Sequence, residues 1–238
     1  MNIALIGYGK MGKAIEEIAV QRGHVIVLKI DENNLADFNA EKMATADVAI
    51  EFTGPHTALD NIKKTIGFGI PLVCGSTGWT ERMEEVNQLV KETNGTFLYA
   101  SNFSIGVNIF FEINKKLAAL MAPHKEYEVI LEEVHHTQKK DAPSGTAITL
   151  AEQVLNEIKR KKRWVNELSD NPEDLEIISQ REDPAPGTHH VKYSSAVDDI
   201  EIIHTAHNRK GFAAGAVLAA EYIKDKKGIF RMKDVLGL

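Results

Sequence analysis

The sequence predicts an α/β protein with two domains, the first built on a doubly wound parallel sheet and the second on a mixed, open sheet. The first observation is a glycine-rich turn at 7–12, which lies between an apolar strand and a helical pattern. The second is a regular alternation of apolar strands, polar loops and helices as far as residue 105, which is typical of parallel sheets. The third is a change past Ile105 to closely spaced, β-rich stretches.

The elements follow from the periodicity of apolar residues along the chain. Strands of the first domain are predicted at 2–6, 25–30, 48–52, 71–74 and 97–100. In the second domain, a helix at 107–120 precedes strands at 127–131, 177–179, 189–194 and 200–206. A helix rich in small residues at 212–223 is predicted to return and pack on the first domain. We therefore place a dinucleotide-binding domain at 1–106 and 213–238, and a substrate-binding and oligomerisation domain at 107–212.

The glycine-rich turn has the spacing G-x-G-x-x-G of a Rossmann-type dinucleotide site. The first glycine would make the tight turn, the second would let the backbone approach a pyrophosphate, and the third would let the helix pack closely on the strand. An acidic residue 19 positions past the third glycine ends the second strand and is placed to meet the adenosine ribose. Glycine-rich turns alone are common, so the assignment of a dinucleotide site depends on this acidic residue as well. The residues assigned to the cofactor here are Gly7, Gly9, Lys10, Met11, Gly12 and Asp31.

Polar loops follow the next three strands, and their topology places them at one edge of the sheet, where ligands of open α/β sheets bind. Ordinary turn chemistry would explain any one of them. Because all three share the edge, we predict that they line the nicotinamide side of the site. The residues assigned are Phe52, Thr53, Gly75, Thr77, Ser101, Asn102 and Phe103.

Composition excludes several classes of function. The net charge of −6 disfavours a general nucleic-acid-binding protein. Cys74 is the one cysteine, which rules out an intrachain disulfide framework and favours a reducing compartment. No apolar stretch approaches the roughly 20 residues that span a bilayer, and no cleavable signal segment is expected at the N-terminus. We expect a cytoplasmic protein with no nucleic-acid or membrane partner.

The stretch 132–147 concentrates the chemistry of the second domain. Pro143 fixes a turn and Ser144 is placed to cap the next helix, whose N-terminus at Gly145 and Thr146 suits an anion. A histidine that can move a proton and two lysines precede it. This pattern suits a small carboxylate substrate. The competing interpretation is a solvated hairpin loop.

The same stretch resembles the motif E-x-H-H-x-x-K-x-D-A-P-S-G-T-A of the dihydrodipicolinate reductase family. The matching residues are Glu133, His135, His136, Lys139, Asp141, Ala142, Pro143, Ser144, Gly145, Thr146 and Ala147. The segments 51–53, 75–78 and 100–108 are similar to the family's cofactor-contacting and hinge segments. The resemblance covers nearly the whole chain except 159–176.

The resemblance implies NAD(P)H-dependent reduction of 4-hydroxy-tetrahydrodipicolinate to tetrahydrodipicolinate, in diaminopimelate and lysine biosynthesis. It implies that His135 donates the proton and that Lys139 stabilises charge and holds a carboxylate. His136, Gly145 and Thr146 would complete the pocket for a small dicarboxylate. It also implies a homotetramer assembled through the second domain.

Other residues of the second domain are assigned from their chemistry. Arg209 is predicted as a second carboxylate clamp, because a guanidinium binds carboxylate in a bidentate manner. We interpret Arg181 and the pair His189-His190 as loop or surface residues, and the basic run 159–163 as a solvated helix end. No metal ligands are assigned.

Cofactor choice is predicted from the residue after Asp31. Family members that accept NADPH well often have an arginine there, whereas this chain has Glu32. NADH is therefore the expected cofactor, with NADPH still usable because Lys10 or Lys29 could offset part of the repulsion. Two alternatives stay open: another dehydrogenase acting on an amino-acid semialdehyde or aspartate, and a redox-sensing regulator or inactive relative.

Overall fold

The structure of the chain, a computed structural model, describes residues 1–208 and 210–238. Two units are distinguished: the first comprises Met1–Ile105 and Lys210–Leu238, and the second comprises Gly106–Arg209. Among the described residues, no helix is both long enough and apolar enough to cross a membrane.

Strands and helices alternate through most of the chain. In the described residues the strands are β1 (Asn2–Ile6), β2 (Val25–Ile30), β3 (Val48–Glu51), β4 (Leu72–Cys74), β5 (Thr96–Tyr99), β6 (Glu128–His135), β7 (Arg163–Val165), β8 (Asp174–Arg181), β9 (Thr188–Ser194), β10 (Asp199–Thr205) and β11 (Gly228–Phe230). The α-helices there are α1 (Lys10–Gln21), α2 (Ala40–Met43), α3 (Ala58–Gly67), α4 (Met83–Glu92), α5 (Ile105–Met121), α6 (Gly145–Glu157), α7 (Lys210–Ile223) and α8 (Met232–Leu236). Short 3-10 helices lie at Leu35–Asp37 and Thr80–Arg82.

The first unit contains a six-stranded parallel sheet in the order β11-β5-β4-β3-β1-β2. Alternate side chains of β1 enter different cores. Ile3 and Leu5 pack in the core that contains residues of α1, α7 and α8. Ala4 and Ile6 pack in the core that contains residues of α3 and α4. Burial on both faces explains the continuous apolar strands and confirms the predicted doubly wound parallel sheet.

Helix α7 belongs to the first unit, as its small residues predict. A Cβ on Gly215 would overlap the carbonyl oxygen of Phe103, so only glycine permits this approach of the helix to the backbone after β5. Ala216, Ala219 and Ala220 are fully buried in the same core. Helix α7, from the C-terminal part of the chain, therefore packs directly against the loop that follows β5.

The second unit contains a five-stranded sheet in the order β10-β9-β6-β8-β7. The pairs β6–β8 and β7–β8 are parallel, whereas β6–β9 and β9–β10 are antiparallel, which confirms the predicted mixed sheet. Strand β7 was not expected from the sequence. The basic run 159–163, whose last residue begins β7, is also not simply solvated, since Lys161 is 6 % exposed and pairs with Glu128 at 2.8 Å.

Strand β6 leads from the core of the second unit into its polar end. Its buried positions are Val129, Leu131, Glu133 and His135, which alternate with partly buried neighbours. Because side chains of a strand alternate between faces, these four share the face that packs on α6. The face that begins as apolar core therefore ends in a buried carboxylate and a buried imidazole.

Candidate active site

The turn between β1 and α1 needs its first and third glycines for physical reasons. Gly7 has φ +94°, a conformation that favours glycine, and a Cβ there would overlap the carbonyl oxygen of Phe52. A Cβ on Gly12 would overlap the carbonyl oxygen of Gly7. Gly9, the N-cap of α1, has nothing within 4 Å of its Cβ position, which leaves room for a ligand at the helix N-terminus.

A cavity of about 530 Å³ opens beside this turn, a size typical of sites for small molecules. It brings together five of the predicted cofactor residues, Gly7, Gly9, Asp31, Phe52 and Thr53. The remaining lining residues are Ile6, Tyr8, Ile30, Glu32, Asn33, Leu35, Thr57 and Asn61. Lys10 is exposed on the first turn of α1, and Met11 packs against the core that contains α1.

The end of β2 carries two carboxylates at the cavity. One Asp31 oxygen accepts a 2.8 Å hydrogen bond from the backbone amide of Asn33, which fixes the turn. Lys29 already has interaction partners, since its ammonium lies 2.6 Å from a Glu16 oxygen and 3.3 Å from the Tyr8 hydroxyl. The hydrogen bond between them raises the pKa of Lys29 and lowers the pKa of Glu16.

The loops after β3 and β4 are joined by one buried carboxylate. Glu51 is fully buried and accepts hydrogen bonds from the Thr53 amide at 3.0 Å and the Ser76 hydroxyl at 3.0 Å, and from the Thr53 hydroxyl. The Cys74 thiol donates to its other oxygen at 3.0 Å. This carboxylate was missed as a functional feature, although its position before Phe52-Thr53 could have indicated it.

Two aromatic rings lie beside the loops that follow β3, β4 and β5. A Cβ on Gly75 would overlap the ring of Phe52, and the rings of Phe52 and Phe103 lie 5.6 Å apart. The structure thus brings these three predicted residues together. Thr77 and Ser101 are exposed on their loops, and the Asn102 side chain accepts a 2.9 Å bond from the Ser104 amide.

In the second unit, polar side chains converge on Glu133, which has no exposed surface. Its carboxylate accepts bonds from the Ser144 amide at 3.0 and 3.1 Å, the Ser179 hydroxyl at 2.8 Å and the Arg181 guanidinium at 3.1 Å. Burial alone would raise the pKa of Glu133, but these hydrogen bonds outweigh it and lower the pKa. We call Glu133, His135, Ser144, Arg181 and His189 the Glu133 cluster.

His135 lies at the end of β6, and its side chain is 9 % exposed. Its Nδ1 lies 3.4 Å from a Glu133 oxygen, and its ring stands at 72° to that of His189, with centroids 5.1 Å apart. Gly187, with φ +151°, allows the backbone to lie close to Nε2, since a Cβ there would be 3.0 Å away. Burial lowers the pKa of His135, and the Glu133 carboxylate opposes that shift.

The other predicted residues lie on the loop after β6 and at the start of α6. The Lys139 ammonium binds both Asp141 oxygens at 2.9 and 2.8 Å, and Lys140 is exposed. His136 is partly buried. Ser144 caps α6 by accepting a 3.2 Å bond from the Ala147 amide, as predicted.

The N-terminus of α6 is open at its first residue. Nothing lies within 4 Å of the Cβ position of Gly145, and Thr146 follows as a partly buried residue of the first turn. The Arg209 side chain, the predicted second clamp, lies outside the described residues.

Comparison with known proteins gives the family. Residues 1–103 match the family model described as "Dihydrodipicolinate reductase, N-terminus", and residues 106–236 match that described as "Dihydrodipicolinate reductase, C-terminus". The chain belongs to the dihydrodipicolinate reductase family.

Relatives in this family match over the full length of the chain. A 4-hydroxy-tetrahydrodipicolinate reductase from Christiangramia forsetii is 50% identical over 241 residues, which cover 100% of this chain and 98% of that protein. One from Methanosarcina acetivorans is 35% identical and covers 99% and 89% respectively. Among solved structures, a dipicolinate-bound dihydrodipicolinate reductase from Paenisporosarcina sp. TG-14 has the same fold, with a TM-score of 0.77, 22% identity and 97% of each chain covered.

The interpretation of Arg181 and His189 as loop or surface residues is wrong. Arg181 ends β8 and binds Glu133, while His189 lies within β9 and is 5 % exposed. Burial lowers the pKa of His189 to about 3, helped by the nearby His135. A signal was available, because period-2 alternation places His189 on the same face as Val191 and Tyr193, both fully buried.

Replacing the central carboxylate should destabilise the second unit. We expect Glu133→Gln to lower the free energy of unfolding by about 1–3 kcal/mol, because the new amide cannot accept all of the hydrogen bonds and leaves a buried donor unpaired. The adjacent Glu132→Gln removes the same charge from a side chain that is 43% exposed, and it should change stability by less than about 0.5 kcal/mol. Urea unfolding measures both, and equal effects would contradict a central role for Glu133.

Proposed function

We propose that the protein catalyses the NAD(P)H-dependent reduction of 4-hydroxy-tetrahydrodipicolinate to tetrahydrodipicolinate, with loss of the 4-hydroxyl as water, in diaminopimelate and lysine biosynthesis. The name of the 50% identical relative supports the reaction. The observation that carries the mechanism is the buried pair of Glu133 and His135 on β6. The single buried cysteine, Cys74, agrees with a reducing, cytoplasmic location.

The first unit is proposed to hold the cofactor in the cavity beside Gly7 and Gly9. The pyrophosphate would lie at the N-terminus of α1, where backbone amides and the helix dipole favour an anion. Asp31 would accept hydrogen bonds from the adenosine ribose. The nicotinamide side of the cofactor site would be formed by Phe52, Thr53 and Phe103. The bound nicotinamide would supply the hydride.

The second unit is proposed to hold the dicarboxylate substrate. Gly145 leaves the N-terminus of α6 open to a carboxylate, which the helix dipole favours by about 0.3–1 kcal/mol. Lys139 has three N–H donors, so it can bind a carboxylate while retaining a bond to Asp141. Dipicolinate, the ligand of the Paenisporosarcina protein, is a dicarboxylate of the same class. His136, Thr146 and Arg209 would complete this pocket.

His135 is proposed to donate the proton that neutralises the carbanion or ring nitrogen formed by hydride addition. Burial disfavours its charged form, whereas Glu133 favours it. A bound dicarboxylate adds negative charge and so increases the protonated fraction. Glu133 would stabilise the positive charge of the protonated imidazole, and the hydrogen bonds to that carboxylate keep it from taking the proton itself.

The role of His135 is tested by His135→Gln. We expect kcat to fall by roughly 10²–10⁴, the usual contribution of a positioned general acid, with NADH affinity unchanged. Steady-state kinetics with freshly made substrate and a binding titration with NADH measure both quantities. His124→Gln, an exposed histidine of the same unit paired with Glu126, is the control and should be silent. Activity of His135→Gln within about threefold of wild type would exclude His135 from the chemistry.

The two neighbouring lysines should behave differently. Lys139→Ala is expected to lower kcat and raise KM, because this ammonium would bind the substrate and stabilise the charge of the transition state. Lys140→Ala removes the same charge from an exposed position and should leave both parameters within about twofold of wild type. Similar kinetics of the two variants would contradict the assignment of Lys139 to the pocket.

Cofactor choice is proposed to favour NADH. A 2′-phosphate beside Asp31 and Glu32 would be repelled by roughly 3–4 kcal/mol per charge pair at about 4–5 Å and an effective dielectric of about 20, before salt screening. The ion pair with Glu16 keeps Lys29 from offsetting much of this repulsion. We expect kcat/KM to favour NADH by about tenfold or more, with NADPH usable.

Glu32→Arg should narrow or reverse that preference. Glu41→Arg makes the same charge change on α2, at a residue that does not line the cavity, and should leave the preference unchanged. If wild type used both cofactors equally and Glu32→Arg changed nothing, then Asp31 and Glu32 would not lie at the ribose.

A homotetramer assembled through the second unit is also proposed. Strand β10 is a sheet edge, and it carries Ile200 and Ile203 at 38% and 57% exposure. Self-association is a natural cover for such an edge. We expect sedimentation at micromolar concentration to give a tetramer, and Ile203→Asp to shift it to smaller species. Leu168→Asp, at an exposed position between β7 and β8 at the opposite edge of the sheet, is the control. A monomeric wild type would contradict this.

A further inference from the structure

Three buried side chains of the kinds that bind metals converge on one face of the second unit's sheet. Glu133 and His135 are two residues apart on β6, so their side chains share a face. His189 on β9 lies directly opposite Glu133 in the antiparallel register. One oxygen or nitrogen atom from each of the three lies within 4.8 Å of the others.

The two distances from Glu133 to the imidazoles are longer than hydrogen bonds, and the shorter of them matches the ligand spacing of a metal ion. A Glu133 oxygen lies 3.4 Å from His135 Nδ1 and 3.8 Å from His189 Nε2, beyond the usual 2.7–3.2 Å of an N–H···O bond. A tetrahedral ion with bonds of about 2.0–2.1 Å holds its ligand atoms about 3.3–3.4 Å apart. His135 Nδ1 is buried without a hydrogen-bond partner, and it points toward the carboxylate.

We propose that Glu133, His135 and His189 form a binding site for a divalent transition metal ion of the zinc class. Three protein ligands leave a fourth position open, as in zinc sites that accept an exchangeable ligand. The binding itself does not depend on the proposed reaction. Its consequence does: an ion bound to His135 removes the proposed proton donor, so the ion inhibits the reductase.

The chemistry of the ligands and their surroundings determines which ions bind and how tightly. Two imidazoles and one carboxylate suit Zn²⁺, Co²⁺, Ni²⁺ and Cu²⁺, whereas Mg²⁺ and Ca²⁺ prefer oxygen ligands. The Arg181 guanidinium, 3.1 Å from the other Glu133 oxygen, repels a cation. The Ser144 hydroxyl, 3.1 Å from His189 Nε2, must turn its hydrogen away. Both contacts weaken binding, so we expect the ion to be removable by a chelator.

The test uses the full chain, without a histidine tag and freed of metal, titrated with Co²⁺ in the absence of substrate. A four-coordinate Co²⁺ site gives visible absorption, and calorimetry with Zn²⁺ gives the stoichiometry. We expect one ion per chain and no comparable binding of Mg²⁺. His189→Gln should weaken Co²⁺ binding by about 100-fold or more, since loss of even an outer partner of a ligand weakens binding 10–100-fold.

His190→Gln is the matched control, because it changes the next residue of the same strand, which points to the other face and contacts Glu132 and Glu201. It should bind Co²⁺ as wild type does. Absence of stoichiometric binding in wild type, equal binding by His189→Gln, or equal loss in His190→Gln would each overturn the site. If His189→Gln fails to fold, as judged by circular dichroism, His135→Gln replaces it with the same expected loss.

The inhibitory consequence is measured separately, by adding Zn²⁺ to the reductase assay at a concentration that fills the site. Wild type and His190→Gln should lose activity to the same degree, and the loss should be reversed by a chelator. Co²⁺ binding by a protein without reductase activity would support the metal site and contradict the proposed function. Full activity of a Zn²⁺-loaded protein would contradict the inhibition.

Discussion

The second unit depends on the burial of one carboxylate. Removing an ionised group from water is strongly unfavourable unless the protein replaces its hydrogen bonds. Around Glu133 this replacement comes from three donors on two parts of the chain: the Ser144 amide at the start of α6, and the Ser179 hydroxyl and Arg181 guanidinium of β8. Meeting that requirement fixes the start of α6 and the end of β8 relative to β6. The positions of His135 and Gly145 follow from it.

The first unit also buries a carboxylate and supplies its hydrogen bonds from neighbouring loops and strands. Glu51, at the end of β3, is fully buried and takes its hydrogen bonds from Thr53, Ser76 and Cys74. Here too a single carboxylate at a strand end determines where the following loops lie. Loops at the ends of strands lack ladder partners, so side-chain acceptors replace them. In each unit a buried glutamate thus holds part of the backbone that is proposed to meet a ligand: Thr53 in the first unit and the start of α6 in the second.

The sequence predicts what depends on local periodicity and turn chemistry. Gly7 and Gly12, the strand–loop–helix alternation and the Ser144 cap are recognisable because the physical cause lies within a few residues. Residues brought together by pairing of distant strands were missed. Arg181 and His189 reach Glu133 only after β8 and β9 pair with β6, and no short sequence pattern predicts the register of that pairing. Likewise, the pairing of Lys29 with Glu16 depends on how α1 lies beside β2.

The geometry of Glu133 also explains why His135 can act chemically. The carboxylate is already hydrogen-bonded by three donors, so it stays 3.4 Å from Nδ1 and does not clamp the imidazole as a short hydrogen bond would. At that distance it still stabilises a positive charge, because the Coulomb energy falls only slowly with separation. A proton on His135 and a metal ion beside it would use the same stabilisation. The two therefore compete: whatever makes the imidazole a good proton carrier also makes the cluster attractive to a cation.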